Sequence, residues 1–259
     1  MTDDPGGLVG RQAAGDIDHE TALHLIAEGG ITIEGRLVAA SNATFYCTVA
    51  LGDGTADGTA LVGTAIYKPV RGEAPLWDFP DGTLAARERA AFLVSEASGW
   101  DVVPPTVLRD GPFGPGMVQL WVDADESIDP VALVNDADPR LRRIALFDAV
   151  VNNADRKVGH LLPRPDGLVQ GVDHGVCFHR EPKLRTVLWA WRGQSISADE
   201  AAVIARLRDA LAGDLGRDLR EHLTATEVRL TRRRADRLVE TGRFPQPDPD
   251  RPAIPWPPY

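Results

Sequence analysis

Short runs of alternating hydrophobic and polar residues dominate the first third of the chain. Residues 18–28 predict a short helix, with Asp16 or Asp18 as its cap and the glycine pair 29–30 as its end. From Ile31 to Leu51 many residues are β-branched or aromatic, which predicts strands, and the run ALVGTAIYKP predicts one more strand that ends at Pro69. The segment GDGTADGT, with its Asp-Gly pairs, predicts a turn between strands. This part is expected to be a β meander with one helix.

Residues 83–98 have the spacing of an amphipathic helix, which Gly99 is expected to end. The positions expected to point outward include Arg87, Arg89 and Glu96. Two apolar runs follow, DVVPPTVL and GMVQLWV. They predict two strands at the edge of the same sheet, the second leading toward a hinge.

Beyond the acidic linker DADESID the pattern becomes helical. The run ADPRLRRIALFDAVVNNA has helical spacing, with Asp138 as its cap, and capping boxes that begin at Ser197 and Thr224 predict two further helices. Residues 244–259 are too rich in proline for helix or sheet. This tail is expected to run extended, either loose or laid across the body with Trp256 as its anchor.

The order of these elements predicts an α+β fold with a ligand site in a cleft between a β-rich part and a helical part. The expected N-lobe, residues 1–122, holds the sheet and a helix. The expected C-lobe, residues 123–243, is mainly helical and is followed by the proline-rich tail, residues 244–259.

Composition and charge exclude several classes of partner. The net charge of −10 repels nucleic acid and anionic lipid within about 8 Å, the Debye length at physiological salt. No run approaches the roughly 18 to 20 apolar residues of a membrane span, and the first residues lack the pattern of a secretory signal. Cys47 and Cys177 stand far apart, which predicts neither a disulfide framework nor a structural zinc site. These features favour the cytoplasm.

Two segments of the helical part carry clustered polar residues. The segment NNADRKVGH, residues 152–160, follows an apolar helix, and Asp173 follows an apolar strand in VQGVDHGVCF. Asp155 and Asp173 are 18 positions apart, which is enough for a hairpin that brings both carboxylates to one point. Converging carboxylates are costly unless a metal ion neutralises them. A turn rich in Asn and Asp is also explained by turn chemistry alone.

Lys68, at the end of a strand, and Glu88, on the following helix, are candidates for a lysine that binds phosphate and its carboxylate partner. Taken singly, each is more commonly a solvated surface charge.

The run DAVVNNADRKVGHLL, followed by VDHG, resembles the catalytic and metal-binding loops of phosphatidylinositol 3-/4-kinases and of the related bacterial HipA-type kinases. The run AIYKP is similar to an element of the type II phosphatidylinositol 4-kinases, and ASNATF, residues 40–45, to their phosphate-covering loop. The chain most resembles actinobacterial proteins of the phosphatidylinositol 3-/4-kinase-like, HipA-like class of atypical kinases. The motifs extend from about Gly35 to Phe178.

This resemblance implies a two-lobed, protein-kinase-like fold and an ATP- and metal-dependent phosphotransferase. It implies that Asp155 orients the acceptor hydroxyl and that Asp173 binds Mg²⁺ or Mn²⁺. Lys68, oriented by Glu88, would hold the α- and β-phosphates of ATP. The residues implied to lie over the phosphates are Ser41, Asn42 and Thr44, and those beside the adenine are Gln119, Leu120 and Trp121.

The chain departs from the family pattern in two places. His160 stands where the family has a metal-binding asparagine, so His160 binds a softer metal, hydrogen-bonds a phosphate or merely packs. The segment after Asp173 is short, which suits a fixed pocket for a small or anionic acceptor. That pocket would be lined by Trp189, Trp191 and Arg192, unless the two tryptophans are core residues and the arginine a surface residue.

The acceptor of the implied reaction is a small-molecule alcohol, a lipid headgroup or a protein hydroxyl, and the negative net charge disfavours the lipid. Two alternatives remain. The departure at His160 motivates a catalytically silent nucleotide-binding module, and the same type of site also suits adenylyl transfer.

Overall fold

The computed structural model of the chain describes residues 17–37, 42–52 and 60–259. The chain divides into two compact units. The sheet unit comprises residues 1–74 and 105–121, and the helical unit comprises residues 75–104 and 122–259. The predicted α+β class is confirmed by their content.

The sheet unit contains a five-stranded antiparallel sheet in the order β1-β2-β3-β5-β4. Its strands are β1 (Gly30–Arg36), β2 (Phe45–Leu51), β3 (Leu61–Pro69), β4 (Thr106–Gly111) and β5 (Gly114–Leu120). The helix α1 (His19–Glu28) precedes the sheet, and the Asp18 side chain caps it by accepting a hydrogen bond from Thr21 N. The predicted strands and helix are therefore confirmed. The turn segment GDGTADGT lies, apart from Gly52, outside the described residues.

One face of this sheet packs against α1 and forms the core of the unit. Leu25 and Ile26 of the helix are fully buried together with Cys47, Val49, Ala65, Tyr67 and Val118 of the sheet. Side chains alternate between the two faces of a strand, so Lys68, next to Tyr67 in β3, lies on the face opposite α1. This orientation places the Lys68 side chain outside the core that β3 shares with α1.

Among the described residues, the helical unit contains six α-helices and a two-stranded sheet. They are α2 (Leu84–Ser98), α3 (Pro130–Asn135), α4 (Arg142–Val151), α5 (Ala198–Ala212), α6 (Asp214–Asp218), α7 (Ala225–Thr241) and the two-stranded sheet of β6 (Leu161–Pro163) and β7 (Val169–Gly171). The predicted capping boxes are confirmed: Ser197 and Glu200 begin α5, and Thr224 and Glu227 begin α7. Nowhere in the described part of the chain is a helix both long and apolar enough to cross a membrane.

The helix α2 groups with the helical unit, whereas the expected N-lobe of residues 1–122 included it. Its buried positions pack against α4, α5 and α6. The expected outward orientation of Arg87 is wrong, because Arg87 is buried and its Nη2 lies 2.6 Å from Glu227 Oε1 of α7. Its guanidinium also stacks over the ring of Phe79. A carboxylate 140 positions away thus stabilises an arginine that the local pattern assigned to the surface.

The tail, residues 244–259, forms neither helix nor strand, as expected, and lies against the helical unit. Phe244 is buried, and Ala253 O accepts hydrogen bonds from Thr186 N and from Trp189 Nε1. The expected anchor is wrong, because Trp256 is 90% exposed. Backbone carbonyls and the start of the tail hold it instead.

Candidate active site

The 152–160 loop begins where α4 ends. Asn152 has φ 55 and ψ 52, a left-handed conformation that asparagine tolerates better than most residues. Its amide donates to His179 O and Glu181 O, and its carbonyl oxygen accepts from Lys183 N. Asn152 therefore ties the end of α4 to the 179–183 segment and has a structural role.

A fully buried ion pair holds the centre of this loop. Asp148 of α4 and Arg156 are both 0% exposed, and the guanidinium binds the carboxylate in a bidentate fashion, with two distances of 2.9 Å. Asn153 also donates to Asp148 Oδ1, and its own Oδ1 accepts from Asp155 N. Although burial acts against it, the charge of Asp148 leaves the pKa of Arg156 raised. The ion pair of Asp148 and Arg156, together with Asn153, holds the 152–160 loop against the end of α4.

Arg156 also reaches the segment that carries Asp173. Its Nη1 donates to Val172 O at 2.9 Å, and its Nη2 lies 2.6 Å from His174 Nε2. An arginine can only donate, so Nε2 accepts and Nδ1 of the imidazole carries the proton. The backbone N–H of His174 donates in turn to Glu88 Oε2 of α2 at 2.9 Å. His174 and Glu88 thus fix the backbone on the C-terminal side of Asp173.

Asp155, next to Arg156 in the chain, lies on the outer side of the loop. Its Oδ2 is 3.2 Å from Lys157 Nζ, and its side chain is partly exposed. Burial raises the pKa of the Asp155 carboxyl above its usual value, and Asp173 raises it further, whereas Lys157 and Arg185 lower it without cancelling the effect of burial. A carboxylate with a raised pKa is better able to accept a proton from a hydroxyl.

The β6–β7 hairpin brings the second acid to the same loop, which confirms the predicted hairpin. Leu161 pairs with Gly171 at its open end, so His160 and Asp173 flank that end. His160 Nε2 lies 3.5 Å from Asp173 Oδ2, and the Asp173 side chain is 46% exposed. Asp173 has a φ of 61, so its backbone is in the left-handed region that few residues other than glycine adopt. The exposed carboxylate and the imidazole are adjacent.

These donors fit a metal ion that takes part of its coordination shell from a substrate. Within residues 17–37, 42–52 and 60–259, no group of three or more His, Cys, Asp or Glu side chains is arranged to hold a metal by itself. Mg²⁺ in phosphoryl-transfer sites is typically bound by one or two carboxylates together with phosphate oxygens and water. Asp173, with His160 beside it, matches that partial ligand set.

In the sheet unit, Lys68 lies on β3, Gln119 and Leu120 lie on the adjacent strand β5, and Trp121 follows β5. Lys68 pairs with Met117, and Gln119 pairs with Ile66, so the side chains of Lys68 and Gln119 lie on the same face. Gln119 is buried and donates to Thr106 Oγ1. Leu120 packs toward the α1 core instead. Leu120 N donates a hydrogen bond to Pro105 O, and Trp121 N donates one to Thr64 O. Contact of Gln119, Leu120 and Trp121 with a nucleotide stays a prediction.

The predicted phosphate-covering loop is only partly described. Ser41 lies outside the described residues. Asn42 Oδ1 accepts from Ala74 N at 2.8 Å, and the Thr44 hydroxyl donates to Asn42 O at 3.3 Å. Ala43 N donates to Gly72 O. These bonds fasten the loop to the segment after β3, and its phosphate-binding role stays a prediction.

Two of the three residues considered for the acceptor pocket have other roles. Trp191 is buried against Phe244 and Arg142, and Trp189 holds the tail through Ala253. Arg192 is exposed, with its Nη1 donating to Trp189 O at 3.3 Å. The reading of core aromatics with a surface arginine describes them better.

Sequence reasoning missed the framework of Asp148, Arg156 and His174 as a unit. One signal was present: Asp148 interrupts the apolar run IALFDAVV, and a charge at a buried helix position requires a partner. The identity of that partner, eight residues ahead in a loop, follows only from the fold.

Comparison with known proteins finds a sequence relative and a structural neighbour of the chain. No family model matches it. Protein Rv2133c of Mycobacterium tuberculosis is 44% identical over 277 aligned positions, which cover 93% of this chain and 96% of that protein. Among solved structures, the crystal structure of the Helicobacter pylori proinflammatory kinase CtkA aligns with a TM-score of 0.44 and 12% identity, over 82% of this chain and 98% of that chain. The likeness to CtkA is too weak to bear on activity.

Proposed function

Starting from the fact that the chain belongs to the same protein family as Rv2133c of Mycobacterium tuberculosis, we propose that it is an ATP- and divalent-metal-dependent phosphotransferase that acts on a hydroxyl acceptor. One observation carries this proposal: Asp173 Oδ2 lies 3.5 Å from His160 Nε2, at the end of the loop that also carries Asp155, and a fully buried ion pair supports that loop.

The roles follow from the positions of the side chains. Asp155, on the outer side of a rigid loop, would orient the acceptor hydroxyl and accept its proton as the new bond to phosphorus forms. Asp173 and His160 would hold Mg²⁺ or Mn²⁺. The bound metal would supply positive charge to the transferred phosphate. The phosphate-binding role of Lys68 and the orienting role of Glu88 are carried over from the resemblance.

Asp173 suits this role because three contacts fix the segment around it. Arg156 binds Val172 O and His174 Nε2, and Glu88 binds His174 N. The side chain between them nevertheless remains open to solvent. A side chain that is positioned by its neighbours and still accessible is what a site needs for binding a metal without rearrangement.

A small-molecule alcohol is the acceptor class that the proposal favours. The negative net charge opposes binding to anionic membranes and nucleic acid, and we place the protein in the cytoplasm, where ATP is available.

The test measures ATP binding and ATP turnover with Mg²⁺ and with Mn²⁺ for wild type, Asp155→Asn and Asp173→Asn, with a panel of alcohols present in the turnover assay. Asparagine is chosen at 173 because it tolerates the left-handed backbone there. We expect Asp173→Asn to lose metal-dependent nucleotide binding. Asp155→Asn should retain binding and lose roughly 10² to 10⁴ in rate.

The matched control is Asp166→Asn, because the Asp166 side chain is 45% exposed and the Asp173 side chain is 46% exposed. Asp166 contacts its near neighbours Arg164 and Leu168 N. It should leave turnover unchanged. If wild-type turnover never exceeds that of Asp155→Asn, the protein is a silent module and the proposal fails. Mass spectrometry of the product distinguishes phosphoryl from adenylyl transfer.

A further inference from the structure

The proline-rich tail reaches the 152–160 loop through its backbone carbonyls. Pro258 O accepts a hydrogen bond from Val158 N at 2.9 Å. Closer to α7 in sequence, Ala253 O accepts from Thr186 N at 3.0 Å, and Thr186 forms a parallel bridge with Arg156. The tail therefore contacts the loop directly at Val158 and indirectly at Arg156.

Val158 begins a turn of 3-10 helix, Val158–His160, that connects the two halves of the candidate site. Lys157 precedes the turn, and its Nζ lies 3.2 Å from Asp155 Oδ2. His160 ends the turn, and its Nε2 lies 3.5 Å from Asp173 Oδ2. The orientation of this turn thus decides where Lys157 and His160 stand relative to the two carboxylates.

The chemistry of proline suits the tail to this contact. A proline lacks the N–H that would let the segment join a sheet, yet its carbonyl remains a full hydrogen-bond acceptor. Proline-rich segments are also stiff before they bind, so ordering them costs little conformational entropy.

From these contacts we infer that the tail is a positioning element for phosphoryl transfer: the Pro258 carbonyl holds the Val158–His160 turn so that Lys157 stays against Asp155 and His160 stays against Asp173. This inference rests on the proposed function, because it assigns the tail a role in positioning the side chains of the proposed active site. The tail acts through the turn and does not itself touch the reacting groups.

The sharpest variant is Val158→Pro. It removes the N–H that the Pro258 carbonyl accepts and places a ring carbon in its path. Proline is well tolerated at the first position of a helical turn, and Lys157 already has the extended backbone, φ −103 and ψ 165, that a residue before proline adopts. We expect kcat to fall roughly 10- to 100-fold, as for small misplacements of catalytic groups.

Two controls accompany this variant. Val158→Ala keeps the N–H and should retain at least about half of the wild-type kcat. Trp256→Ala removes a tail side chain that is 90% exposed and should behave as wild type. If Val158→Pro matches wild type in kcat, or if Val158→Ala loses as much as Val158→Pro, the positioning role is overturned.

A second measurement does not depend on activity. Amide hydrogen exchange is followed at Val158 and Thr186 in the full chain and in a variant that lacks residues 252–259. We expect both amides to exchange at least about tenfold faster without the tail. Unchanged exchange would overturn the contact itself. Wild-type turnover no greater than that of Asp155→Asn would overturn the proposed function, whatever the exchange result.

Discussion

Asp148 of α4 and Arg156 of the 152–160 loop have surroundings opposite to those of Asp155 and Asp173. The first two are completely buried and satisfied by each other, whereas Asp155 is partly exposed and Asp173 is 46% exposed. Asp148 and Arg156 form an inner cluster, and Asp155 and Asp173 form an outer cluster. The consecutive residues Asp155 and Arg156 thus belong to different clusters. The inner cluster supports the fold of the loop, and the outer cluster carries the proposed chemistry.

The largest effect on stability is expected from Asp148→Ala, which leaves the Arg156 guanidinium buried without its carboxylate. Breaking a buried ion pair in this way costs about 3 to 5 kcal/mol. Urea denaturation should show this loss in the helical unit. A loss below about 1 kcal/mol would mean that the ion pair of Asp148 and Arg156 does not stabilise the fold.

Asp155→Asn should separate the two clusters most clearly, because it changes the neighbour of Arg156 and leaves the inner pair intact. We expect the free energy of unfolding to stay within about 1 kcal/mol of wild type, as for most partly exposed substitutions, while turnover falls as proposed above. If the unfolding free energy instead falls as far as in Asp148→Ala, the distinction between the clusters is wrong.

The ion pair of Arg87 and Glu227 is buried like the inner cluster, and its contribution to the free energy of unfolding depends on pH. Burial acts to raise the pKa of Glu227, but hydrogen bonds from Thr224 and Arg87 outweigh it and leave the pKa lowered from 4.5. A lowered pKa in the folded state contributes stability above the unfolded pKa, and this contribution is lost as pH falls through the folded pKa. Glu227→Gln should therefore cost about 2 kcal/mol at pH 7 and less in acid.

Urea midpoints of wild type and Glu227→Gln, measured from pH 7 down to about pH 3, test this expectation. The difference between the two proteins should narrow below about pH 4.5, the ordinary pKa of glutamate. A constant difference over that range would show that Glu227 acts through packing and not through its charge.

The smallest effect is expected at an exposed pair. Arg164 and Asp166 lie 2.7 Å apart, and both side chains are more than a third open to solvent. Arg164→Ala should lower the unfolding free energy by less than about 1 kcal/mol, because surface ion pairs contribute little. A larger loss of unfolding free energy, measured by urea denaturation, would indicate that burial does not distinguish the strong ion pairs from the weak ones.

Local signals predicted much of the fold. Asp18, Ser197 and Thr224 cap helices where the sequence places a capping residue before a helical run, since a cap needs only neighbours within a few positions. The hairpin of β6 and β7 was predicted from the 18 positions between Asp155 and Asp173, and in the structure it places Asp173 beside His160.

The contacts that the sequence did not reveal are those between distant segments. Arg87 is a surface residue by local periodicity, and only the packing of α7 shows that Glu227 neutralises it. The tail was expected to attach through the largest apolar side chain, Trp256, yet it attaches through backbone carbonyls, which every residue carries and no sequence pattern distinguishes. Ser41, outside the described residues, and the nucleotide contacts of the sheet unit remain predictions.

The insertion of α2 between β3 and β4 has a consequence for anyone who dissects this protein. The polypeptide passes between the sheet unit and the helical unit three times, after residues 74, 104 and 121. A single cut therefore releases neither unit intact. A fragment ending near residue 121 would keep α2 but lose its packing partners α4, α5 and α6. Buried apolar residues of α2, such as Ala91 and Phe92, would then be exposed to solvent and would favour aggregation. Separate expression requires replacing residues 75–104 with a short linker.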